Sequence, residues 1–124
     1  MIGYTTVGTN DFESATKFYD AFFAELGAKR TMETDGYVVW GTSPEATAFS
    51  VVKPHDGKAA TVGNGVMIAL AVEKPDQVKA LYEKAIELGG SCEGKPGPRG
   101  GGFYAAYFRD LDGNKLNAFC IVAE

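Results

Sequence analysis

One supersecondary pattern occurs twice along the 124-residue chain, and that repetition restricts the fold more than any other feature of the sequence. In the first half a strand rich in Thr, Val and Tyr is predicted over residues 2–9. Asn10-Asp11 then supplies helix-capping side chains. Phe12, Ala15, Phe18, Tyr19, Phe22 and Leu26 recur at the spacing of one helical face, and Gly27 stands where a helix can end in the left-handed conformation. Three extended pieces follow over residues 28–33, 37–40 and 47–53, with Asp35-Gly36 as a hairpin signal between the first two.

The second half repeats the order. A strand is predicted over residues 66–73, and Pro75-Asp76 opens a helix whose apolar face is Val78, Leu81, Tyr82, Ala85 and Leu88. After Gly89-Gly90 come a strand near 91–94, a long Gly/Pro loop over 95–102, and strands over 103–109 and 115–122. Phe18-Tyr19 falls on Leu81-Tyr82 and Glu25-Leu26-Gly27 on Glu87-Leu88-Gly89, with one residue gained in the first helix. The Pro-, Gly- and polar-rich stretch between the halves reads as a linker. The expectation is a single α+β domain over 1–124, built of βαβββ modules 1–54 and 65–124 joined by linker 55–64. Each four-stranded module buries the sheet face that carries its helix and leaves the other needing cover. Two such faces together form a curved sheet cleft, within one chain or across a dimer.

Composition narrows the partners. The net charge of −4 is spread without a basic block, which excludes the Lys/Arg footprint of a nucleic-acid-binding protein. No apolar run approaches the roughly 20 residues of a membrane span. The N-terminus lacks the basic and apolar regions of a secretory signal, so a cytoplasmic location is the default expectation. Cys92 and Cys120 belong to no CxxC or Cys/His pattern and are expected to be free, buried thiols.

The double βαβββ order resembles the vicinal oxygen chelate superfamily of glyoxalase I, bleomycin-resistance proteins and extradiol dioxygenases. Asp11 with Phe18-Tyr19 is similar to its strand-to-helix opening, Glu25-Leu26-Gly27 to its helix exit, and the run from Phe108 to Leu116 (Phe-Arg-Asp-Leu-Asp-Gly-Asn-Lys-Leu) to its last hairpin. These are caps, packing faces and turns, so they speak for the fold and not for a reaction. In that hairpin Asp110 and Asp112 can accept from local backbone donors while Gly113 and Asn114 tolerate positive φ, a structural turn rather than a calcium loop.

Metal-dependent members of the family place His or Glu ligands on the cleft faces of the first and last strands of each module. The resemblance carries those positions onto Tyr4, Ser50, Met67 and Asn117. Hydroxyl, thioether and amide groups do not agree on a divalent metal. The single histidine, His55, lies in the linker and cannot make a two-histidine site. No metal and no cofactor are therefore expected, and glyoxalase I activity is not.

Strand parity places Tyr4, Thr6 and Gly8, then Met67, Ala69 and Ala71, then Asn117, Phe119 and Ile121 on the cleft side. Tyr37, Trp40, Tyr104 and Tyr107 are candidate aromatic walls or core residues. Arg99, beside Gly100-Gly101-Gly102, is a candidate clamp for a ligand carboxylate or phosphate on a mobile flap, with an exposed surface arginine as the alternative. The expected ligand-binding set is Tyr4, Thr6, Ser50, Met67, Arg99 and Asn117. No nucleophile with a base partner and no GxSxG elbow is present. The sequence thus predicts a metal-free small-molecule-binding protein, resembling the bleomycin-resistance branch and dimeric as that family is. An enzyme with an atypical metal set or metal-independent acid–base chemistry stays open beside it, as does an interaction role with the cleft closed by its own side chains.

Overall fold

A computed structural model describes residues 1–123. The elements run β1 (Tyr4–Gly8), α1 (Phe12–Ala24), β2 (Lys29–Glu33), β3 (Tyr37–Gly41), β4 (Ala48–Val52), β5 (Ile68–Ala71), α2 (Pro75–Glu87), β6 (Ser91–Pro98), β7 (Phe103–Arg109) and β8 (Lys115–Ile121). They form two four-stranded sheets, β1-β4-β3-β2 and β5-β8-β7-β6, the same order in each half. In both, the first strand pairs in parallel with the last and the other neighbours are antiparallel. The α+β class and the doubled unit agree with the sequence.

Local chemistry sets the helices. Asp11 caps α1 by accepting from the Ser14 N–H at 3.1 Å and the Ser14 hydroxyl at 2.8 Å. Gln77 Oε1 accepts from the N–H groups of Glu73 and Lys74 at the start of α2, where Pro75 needs no partner. Past α2 the chain crosses so close to β7 that a Cβ on Gly90 would lie 2.6 Å from the Arg109 carbonyl oxygen, and only glycine fits.

Helix α1 is buried on two sides. Tyr19 and Phe23 pack on Trp40 and Phe49 of the first sheet, with ring centroids 4.8 to 5.9 Å apart. Phe22 turns to the second sheet, 5.6 Å from Phe108. Helix α2 covers that second sheet with Val78, Leu81 and Ala85. One apolar core therefore joins both sheets through the helical layer. The face of each sheet away from the helices lies outside this core.

A buried carboxylate locks the two halves. Asp110 accepts from Tyr19 Oη at 2.7 Å, from the Asp112 and Asn114 N–H groups and from Asn114 Nδ2, each at 2.9 Å. Asn114 Nδ2 also donates to Gly8 O, and the Asn10 N–H to Asp112. Burial, then the Asp110 charge, pushes the Tyr19 hydroxyl well above its ordinary value of 10.0. A raised pKa means that the folded state holds the proton more tightly. Its stabilisation is complete below about pH 10 and is lost as pH rises toward the folded value. Urea unfolding at a series of alkaline pH values should therefore show stability falling above pH 10, with a shallower fall in Tyr19→Phe. An equal slope in the two proteins would refute the assignment.

Several expectations need correction. The strand predicted over 66–73 contracts to β5. The first half of the long loop predicted over 95–102 is strand. β6 continues to Pro98, with Gly97 opposite Ala105 and Pro98 opposite Tyr104, after register shifts between Cys92 and Gly97. Pro96 and Pro98 are tolerated there because β6 is an edge strand and its ladder is bulged. Trp40 is core, its indole N–H bonded to Asp20 at 2.9 Å, and Tyr104 packs against the core side. Both cysteines are free, but Cys92 is exposed because it lies on edge strand β6. Among the described residues no helix is long and apolar enough to cross a membrane.

Candidate functional site

The outward sheet faces carry five of the six predicted ligand-binding residues, divided between two walls. On the first wall, Tyr4 and Thr6 of β1, Ser50 of β4, Tyr37 and Val39 of β3 and Met32 of β2 line a recess of about 730 Å³. Alternation in paired strands brings them together: Thr6 is opposite Ser50 and Tyr4 opposite Ala48. The Ser50 hydroxyl donates to Thr5 O at 2.9 Å. Thr6 Oγ1, 2.8 Å from Ser50 Oγ, must then be the donor of that pair. The exposed Thr6 oxygen keeps its lone pairs for an incoming donor. Tyr37 Oη lies 3.2 Å from Met32 Sδ. No charged side chain lines this recess.

The second wall is chemically different. Met67, immediately before β5, lines a recess of about 650 Å³ with Tyr107, Arg109, Lys115 and the segment from Val62 to Val66. Asn117 lies opposite both Ala69 and Tyr107 in the ladder. It is 1% exposed, and its Oδ1 meets no donor among the described residues. Arg109 Nε is 2.6 Å from Glu93 and its Nη1 donates to Gly113 O. The Arg109 hydrogen bond and charge, with a smaller contribution from Lys115, hold the Glu93 carboxyl below the ordinary carboxylate range.

Arg99, the sixth residue, is not on a long flap. It starts a tight turn in which Gly100, Gly101 and Gly102 all have positive φ. A Cβ on Gly102 would meet the Val122 carbonyl oxygen at 2.5 Å. The guanidinium donates to Lys95 O at 2.6 Å and Gly97 O at 2.8 Å, and lies 5.5 Å from the Tyr107 ring centroid. Lys115 is the residue that strand reading passes over, because it sits at the hairpin exit. Counting back two from Asn117 puts it on the same face, and its Nζ lies 5.5 Å from the same ring.

The positions that the resemblance assigns to metal ligands do not fit a divalent ion. Tyr4 offers a phenol, Ser50 a hydroxyl already bonded to Thr6, and Met67 a thioether. Asn117 offers a neutral oxygen with no imidazole or carboxylate bonded beside it. His55 is exposed between β4 and β5. Among the described residues no three His, Cys, Asp or Glu side chains gather. Neutral acceptors on aromatic and apolar walls are suited to orienting a small molecule.

A family model described as the Glyoxalase/Bleomycin resistance protein/Dioxygenase superfamily matches residues 1–118. A glyoxalase/bleomycin resistance protein from Albidiferax ferrireducens is 37% identical, with a TM-score of 0.88 over 97% of this chain and 98% of that one. Lactoylglutathione lyase from Agrobacterium tumefaciens shares the fold at 16% identity, with a TM-score of 0.72 over 97% and 92% of the two chains. The fosfomycin resistance protein FosX from Mesorhizobium loti shares it at 18% identity, with a TM-score of 0.69 over 97% and 91%. No curated protein matches the chain in sequence.

Proposed function

Because the chain belongs to the glyoxalase/bleomycin resistance protein/dioxygenase superfamily, we propose that it holds a small organic molecule, without a metal ion, in a cleft walled by two copies of itself. Proteins named for a lyase and for drug resistance share the fold, so the fold does not choose between holding and transforming a ligand. The side chains of the two walls support holding. They supply hydroxyls, an amide, a thioether and aromatic rings where a metal centre needs imidazole and carboxylate.

The observation that carries the dimer is the single core shared by both sheets. Tyr4, Thr6, Ser50, Met67 and Asn117 all lie outside that core. Within one chain Tyr4, Thr6 and Ser50 line one recess and Met67 another, with no residue in common, whereas the first wall of one copy can close on the second wall of another. The two free cysteines, Cys92 exposed, suit a reducing compartment such as the cytoplasm.

Protein purified without chelator should sediment as a dimer at micromolar concentration and carry no stoichiometric Zn, Ni, Fe or Mn by elemental analysis. One divalent ion per chain that binding or turnover requires would overturn the metal-free reading. A monomer at every concentration would overturn the shared cleft.

A further inference from the structure

The second wall concentrates positive charge on a chain whose net charge is −4. Arg99 and Lys115 both approach the Tyr107 ring at 5.5 Å. Neither has a carboxylate within ion-pair distance among the described residues. The neighbouring carboxylate, Glu93, is engaged by Arg109 at 2.6 Å. Arg99 satisfies only neutral carbonyls of its own strand, and the half-buried Lys115 ammonium makes no hydrogen bond to a described residue. Two cations sharing one ring repel each other, and the ring's negative face offsets this only in part. Lys115 opens onto the recess beside Met67 and the backbone of residues 63–65. The first wall is uncharged, so the charge marks one end of the cleft.

We propose that this wall is an anion subsite. Lys115 takes the carboxylate, phosphate or phosphonate end of an organic anion whose apolar body lies on Tyr107 and Met67, and Arg99 at the same ring adds positive potential. The inference rests on the small-molecule reading above and deepens it. A charge-assisted hydrogen bond in a partly desolvated recess is strong, and it relieves the repulsion between the two cations. A cationic ligand is disfavoured at the same place.

Three isosteric probes of opposite and zero charge test this on the 124-residue protein in solution: benzoate, benzamide and benzamidinium, followed by amide NMR shifts. Benzoate should shift the Tyr107 and Lys115 resonances saturably, and benzamidinium should not. Lys115→Met, shown to be folded by its otherwise unchanged spectrum, should weaken benzoate by about tenfold or more. Lys115→Arg should keep most of the affinity, and benzamide should not respond to either change. Inorganic phosphate tests the head group without the body, and saturable shifts at Lys115 would support the subsite. Benzamide binding as tightly as benzoate, or benzoate indifferent to Lys115→Met, would overturn the subsite while leaving the cleft standing. No saturable shift with benzoate or phosphate also overturns it. The cleft reading falls instead on the metal and sedimentation results.

Discussion

Asp110→Ala is expected to destabilise the fold by about 3–4 kcal/mol, lowering the melting temperature by roughly 10 °C. The carboxylate is 6% exposed and accepts four hydrogen bonds, one from the fully buried Tyr19 hydroxyl in the other half of the chain. Alanine removes the acceptor and leaves the Tyr19 O–H and the turn N–H groups to find water in a packed interior. Asp110→Asn preserves the shape but cannot accept at both oxygens, so about half the loss is expected. Urea unfolding measures both variants. A loss below about 1 kcal/mol for alanine would show that water replaces the carboxylate freely and that the hairpin does not lock the halves.

Phe22→Ala carries the second large effect, about 3–5 kcal/mol. Phe22 is fully buried and is the α1 ring that reaches the second sheet, at Phe108. Its loss opens a cavity between helix and sheet in the core that holds the two outward walls apart. A double-mutant cycle with Phe108→Ala should return a coupling of about 0.5–1.5 kcal/mol. Strict additivity would mean that the rings merely share a core. The proposed dimer should dissociate more readily in Phe22→Ala than in surface variants, because a shared cleft would depend on the relative placement of both sheets.

Much of the fold was legible because its signals are local. Asp11 and Pro75 mark helix starts by the hydrogen bonds they make or do without, and Gly27 and Gly89 mark helix ends by positive φ. Alternation put Thr6 with Tyr4 on one face of β1 and Asn117 with Phe119 on one face of β8, and the ladder registers set Ser50 opposite Thr6 and Asn117 opposite Ala69. What escaped was non-local. The glycines and prolines of 95–102 read as a loop, yet pairing with β7 makes half of that segment a bulged edge strand. Trp40 reads equally as wall or core until Asp20 and Phe23 close over its inner side.

The sequence alone determined the doubled βαβββ unit, the faces of each strand and helix, and the residue types that contradict a metal centre. Periodicity reports which side chains leave an element together, because that follows from 3.6 residues per helical turn and two per strand repeat. It does not report what each face meets. Only the tertiary structure decided that α1 is buried on both sides, so that one core serves both sheets and the two walls line separate recesses. Only it brought Arg99 and Lys115, 16 positions apart by number, to one tyrosine ring and so gave the second wall its positive charge.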